Sequence, residues 1–111
     1  MPHYLCKLRP PRPTFTDDMT PDEALLMRAH CEYWTPWVET GAVVAMGPVA
    51  DPAGGYGVAI IEAASTAALE AMQRADPVIA AGPGFAYENL LMLAIAVRPS
   101  LPLAPITSVT P

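Results

Sequence analysis

FAYENLLMLAIAVR, residues 85–98, is the stretch on which the fold turns, because two periods compete in it. Its Leu, Met and Ala content favours a helix by intrinsic propensity. Its alternation sets Tyr87, Asn89, Leu91, Leu93, Ile95 and Val97 on one side, which is the period of a strand. The residues before it decide between the two. They supply three strands and two helices, and a sheet built from them is one strand short, so residues 85–98 are read as the last strand.

Working outward, Gly82-Pro83-Gly84 is a turn, and Asp76-Pro77 ends a helix that Ser65 can cap and that runs through Leu69 and Met72 to about Ala75. Residues 56–63 form a strand with Tyr56, Val58, Ile60 and Glu62 on one face. Residues 42–49 form another, and the turn-rich stretch from Gly47 to Gly55 joins the two as a hairpin. Thr20-Pro21-Asp22-Glu23 is a helix start with a cap, a proline suited to the first helical position and the acidic partner of a capping box. That helix runs to about Glu39 and stops at Gly41. Leu26, His30, Tyr33, Trp34 and Trp37 share one side of it, and Pro36 should kink or loosen its last turn. Residues 3–8 alternate as a short strand. Residues 9–15 carry three prolines and read as a stiff, extended loop.

The order is strand, helix, strand, strand, helix, strand. Right-handed crossovers turn it into a four-stranded sheet with both helices on one face, an α+β βαββαβ sandwich over residues 1–98. Residues 99–111 are a Pro-rich C-terminal tail without periodicity. The later strands are apolar on both sides: Val43 and Ala45 against Val44 and Met46, Ile60 against Ile61, Leu91 against Met92. Helices on one face leave the other bare, so sheet-to-sheet packing in a homodimer is expected.

The whole chain of 111 residues fits one domain. It is 52% hydrophobic but only 15% charged, which again points to apolar surface shared with a partner. A net charge of -5 with six Lys or Arg leaves no basic stripe for phosphates, so nucleic acid is not an expected partner. No apolar run is long enough to span a membrane. The first residues do not read as a signal peptide, and Cys6 and Cys31 then read as reduced thiols in the cytoplasm. His3, His30, Cys6 and Cys31 lack metal-ligand spacing, and no Gly-rich phosphate loop or Gly-x-Ser-x-Gly elbow is present. No metal and no cofactor are therefore expected.

Several short pieces form an ordered set: Arg-Pro-Thr-Phe at 12–15, Asp18-Met19-Thr20, His30 followed by Tyr33-Trp34, the run Gly47-Pro48-Val49-Ala50-Asp51-Pro52, Asp76-Pro77, Gly82 and Tyr87-Glu88. In order and spacing, over roughly residues 3–98, the chain resembles the YciI-like (YCII-related) family. That resemblance implies a ferredoxin-like fold of the dimeric α/β barrel type and a cleft holding a His–Asp dyad, here His30 and Asp76. One characterised type of relative is a dehydrochlorinase acting on a hydroxylated, chlorinated aromatic ring. Pro36 and the tail look like departures from the pattern.

A histidine with a carboxylate on one ring nitrogen suits general acid/base work, the carboxylate fixing the tautomer. Asp76 is expected at the negative end of the second helix, where a cationic neighbour would relieve it. The first functional reading is a cofactor-independent enzyme, a lyase or isomerase, that moves a proton on a small cyclic or aromatic metabolite with His30 and Asp76. Arg12 can clamp an anionic group of the ligand or remain a solvated loop residue. Phe15 and Trp34 can line an aromatic pocket or simply pack the helix. Gly47, Pro48 and Asp51 can shape the hairpin turn or the cleft mouth. The second reading is a non-catalytic module that binds a small molecule or assists a pathway enzyme. The third is a structural dimer with an inert dyad.

Overall fold

The computed structural model describes residues 1–99. The chain runs through β1 (His3–Arg9), α1 (Phe15–Asp18), α2 (Pro21–Thr40), β2 (Val43–Val49), β3 (Tyr56–Glu62), α3 (Thr66–Arg74), α4 (Pro77–Ala80) and β4 (Ala86–Leu91). Its four strands make one antiparallel sheet in the order β2-β3-β1-β4. β1 and β2 point the same way with β3 between them, so α2 is a crossover, and α3 and α4 do the same for β3 and β4 around β1. The expected βαββαβ order holds, in an α+β arrangement that fits the ferredoxin-like fold. The tail expected at residues 99–111 falls, but for its first residue, outside the described residues.

The contested stretch is a strand, but a short one. β4 pairs with β1 from Arg9↔Ala86 to Tyr4↔Leu91, and the amide of Met92 makes the next bond, to the His3 carbonyl. Beyond His3 the partner strand has ended. After Met92 the chain therefore leaves the sheet, although the alternation continues to Val97. A strand is as long as its neighbour allows, which period alone does not reveal.

α2 begins as expected. The Thr20 hydroxyl accepts the Glu23 amide at 3.1 Å and the Glu23 carboxylate accepts the Thr20 amide at 2.9 Å, the two halves of a capping box. It ends at Gly41, whose φ of 89° is the left-handed cap that glycine adopts without a Cβ clash. Pro36 lies inside the helix, which continues past it to Thr40.

Three local readings are corrected. Residues 9–15 are not an extended loop: they turn, and α1 follows as a single helical turn, with the Phe15 amide on the Arg12 carbonyl and the Asp18 amide on the Thr14 carbonyl. The hairpin connection is shorter than residues 47–55, because Gly47 and Pro48 lie within β2. β2 is an edge strand, where a proline without an amide hydrogen is tolerated, and its pairing with β3 slips between Val43 and Ala45. Asp76 follows α3, but it is also the N-cap of α4 with Pro77 behind it at the first helical position. It therefore faces the favourable, positive end of a helical turn, not only the negative end expected from α3.

The two sheet faces differ. Tyr4, Cys6, Val43 and Ile61 point inward and build the core with Trp34 of α2, Leu69 of α3 and Ala63. The register sets Leu5, Lys7, Ala45, Gly47, Val58, Ile60, Glu88 and Leu90 on the opposite face, which none of the helices covers.

Candidate functional site

The inward stripe of α3 is Leu69 and Gln73, and Asp76 continues it one turn on. All three are buried, Asp76 to 0% exposure. From the other side α2 brings in His30 and Trp34, four residues apart and therefore on one helix face. From the sheet, β4 turns Tyr87 and Asn89 inward. Long-range packing thus closes three elements around one carboxylate.

Asp76 accepts four hydrogen bonds. Its Oδ2 takes His30 Nδ1 at 2.8 Å, Trp34 Nε1 at 2.7 Å and Tyr87 Oη at 2.6 Å, and its Oδ1 takes the Val78 amide at 3.1 Å. Three of these bonds converge on Oδ2 and one on Oδ1, and because Asp76 is fully buried neither oxygen meets solvent. Burial by itself pushes the Asp76 pKa up, but the bonds from His30, Tyr87 and Trp34 outweigh it and hold the group below its ordinary value. Tyr87 is displaced the other way, by burial first and the adjacent carboxylate second, so its phenol keeps its proton and donates.

An ionised carboxylate can only accept, so the His30 ring carries a proton on Nδ1. Nε2 has no hydrogen-bond partner among the described residues, whereas every side-chain nitrogen or oxygen sealed from solvent has one. The 7% of His30 that remains exposed therefore includes Nε2. One ring nitrogen is anchored inward and the other meets solvent. Asp76 is fully buried and out of a substrate's reach, which leaves Nε2 as the group of this pair able to accept or return a proton.

Beside this cluster lies a second polar pair. Gln73 Nε2 donates to Asn89 Oδ1 at 2.8 Å and Asn89 Nδ2 donates back to Gln73 Oε1 at 2.7 Å. The thiol of Cys6 is pushed up to about 11 by its burial and that of Cys31 is also raised, so neither is a thiolate at neutral pH. Among the described residues no three His, Cys, Asp or Glu side chains gather in a way that could hold a metal ion.

The structure brings His30, Asp76 and Trp34 together and sets the other sequence candidates elsewhere. Arg12 spends four of its five N–H donors within its own chain: on the Asp18 carboxylate at 2.7 Å, the Asp18 carbonyl at 3.0 Å and the two Glu23 oxygens at 2.9 and 2.8 Å. One donor is left without a partner among the described residues. These bonds lower Glu23 to about 2 and tie the loop after β1 to the start of α2. Phe15 is buried and meets Phe85 edge-on at 5.2 Å. Gly47 and Pro48 border a hollow of about 310 Å³ on the open sheet face, with Leu5, Val58 and Ile60. Asp51 is exposed in the β2–β3 loop, where its carboxylate takes the Ala53 amide at 2.8 Å. A second hollow, of about 230 Å³, lies between residues 9–13 and 53–55. Neither hollow includes His30 or Asp76, and none of Arg12, Gly47, Pro48 and Asp51 shares a hydrogen bond with them.

Tyr87, Gln73 and Asn89 were not singled out as site residues by the sequence. Their signal was present in part. Gln73 and Asp76 extend the apolar stripe of Leu69 by four and seven residues, and Tyr87 and Asn89 share one phase of β4. A polar residue on an inward phase must find a polar partner.

No helix of the described residues is long and apolar enough to cross a membrane. No curated protein and no solved structure matches the chain. The model of the YCII-related domain matches residues 4–92, from β1 to just past the end of β4 and with the whole His30–Asp76 cluster inside. That match covers most of the sequence, and the chain belongs to the YCII-related family.

Proposed function

We propose that this protein transfers a proton on a small cyclic or aromatic molecule without a cofactor, by elimination or isomerisation, with His30 Nε2 as the general base and then acid. Asp76 holds the ring and its tautomer and stabilises the imidazolium formed during transfer. Trp34 and Tyr87 are positioning residues that act through Asp76. Arg12 and Phe15 act by fixing the loop after β1. The single observation that carries this reading is the polarity of the His30 ring, Nδ1 bound to a buried carboxylate at 2.8 Å and Nε2 open. A positioned base of this kind contributes about 10²–10⁴ in rate.

The test is proton exchange rather than a guess at the full reaction. A panel of phenols, lactones and cyclic ketones is incubated with the protein in D2O, and loss of the labile C–H signal is followed by NMR. At least one compound should exchange faster with the wild type, and the acceleration should fall about 100-fold or more in His30→Gln. If compounds bind equally to both proteins and none exchanges faster, proton transfer is not the function. One observation favours the second reading, a non-catalytic binding module: neither hollow borders the dyad.

We also propose that two copies pair through the open sheet face. Leu5, Ala45, Gly47, Val58, Ile60 and Leu90 give it an apolar middle. Its cations Lys7 and Arg9 are matched by the anions Glu62 and Glu88, with Arg9 and Glu88 paired at 2.9 Å. In a chain of net charge -5 this face is neutral, so two copies meet there without net repulsion.

A further inference from the structure

After β4 the chain leaves the sheet, with Met92 and Ile95 half-buried and Leu93 and Val97 exposed. Residues 90–97 are eight apolar residues in a row, Leu-Leu-Met-Leu-Ala-Ile-Ala-Val. Leu91 is 59% exposed, Leu93 99% and Val97 60%. Leu90 already stands on the open sheet face, so that face and the exposed positions of the segment are continuous. We propose that residues 92–97 are an exchanged arm, each copy laying its arm across the open sheet face of a second copy, in the hollow bordered by Leu5, Gly47, Val58 and Ile60. This rests on the face-to-face pairing proposed above and adds to it what covers the arm.

Area is the first reason. Four strands about 4.8 Å apart and about six residues long at about 3.4 Å each present roughly 400 Å² in projection. A stable interface buries about 800 Å² per partner. A face this small sits at the low end of what a stable interface needs, and the exposed Leu93 and Val97 of each arm are apolar surface that adjoins it. Reach is the second reason. Six extended residues span about 20 Å, and the sheet is about 14 Å from its first strand axis to its last. Charge is the third. The arm carries no ionisable group, and the residues bordering the hollow carry none. A reciprocal exchange about a two-fold axis covers both arms and both faces and closes the assembly at two copies.

The test uses the full chain in two forms, one with labelled Leu, Ile and Val methyl groups and one without, mixed so that NOEs between copies are seen alone. Cross-copy NOEs are expected from Leu93 and Val97 to Val58 and Ile60. A Leu93→Asp, Val97→Asp variant should weaken the dimer at least tenfold in sedimentation equilibrium, while Leu25→Asp, at an exposed site on α2, should not. A dimer that lacks those NOEs and is not weakened by the paired substitution overturns the arm and leaves the face pairing standing. A monomer at all concentrations overturns both.

Discussion

Asp76 is fully buried and accepts from four donors, so its worth is set by what is stranded when it changes. In Asp76→Asn an amide meets three side-chain donors with two donors of its own, and about 3–5 kcal/mol of stability should be lost in urea unfolding. Tyr87→Phe removes one bond to a charged acceptor and should cost about 1.5–3 kcal/mol. The pH dependence follows from the sign of the shift. The folded pKa of Asp76 lies below its ordinary value. The stability it contributes is therefore complete above the unfolded-state value of about 3.9, and it disappears as pH falls through the lower folded value. The contribution of Asp76 should be constant down to about pH 5, unfolding midpoints should fall steeply below about pH 4, and Asp76→Asn should make that acid fall shallower. At this scale the sequence was partly readable. His30 and Trp34 stand out by helical spacing, and the resemblance pairs His30 with Asp76. The electrostatics of Asp76 are not legible in the sequence because Asp-Pro reads as a helix end, whereas here it both ends α3 and starts α4. Tyr87 was hidden because its role depends on a sheet register that no local pattern encodes.

The elements were legible where their ends are chemically marked. The capping box at Thr20 and the glycine at position 41 bound α2 as expected, and each can be weighed. Thr20→Ala should lose about 1 kcal/mol in thermal or chemical unfolding. Gly41→Ala, forced to a φ of 89°, should lose about 1–2 kcal/mol. Boundaries set by a neighbour rather than by the segment itself were not legible. β4 stops where β1 stops, and β2 runs through Pro48 because it is an edge. The turn at α1 depends on Arg12 gripping Asp18 and Glu23, a contact between segments that the count of prolines in residues 9–15 obscures.

For the whole molecule, the βαββαβ order sufficed to place both crossover connections and to leave one sheet face apolar and uncovered by helices. It did not reveal that the apolar run of residues 90–97 divides into strand and a segment outside the sheet. What the fold achieves is to hold an imidazole between a buried carboxylate and solvent. The ring itself reports this most directly, in long-range proton–nitrogen correlation spectra of the protein labelled with nitrogen-15 at histidine. The neutral His30 ring should show its proton on Nδ1 and a bare Nε2, and Asp76→Asn should abolish that preference. A neutral ring protonated on Nε2 in the wild type would contradict the proposed chemistry, because the open nitrogen would then have no lone pair with which to take a proton.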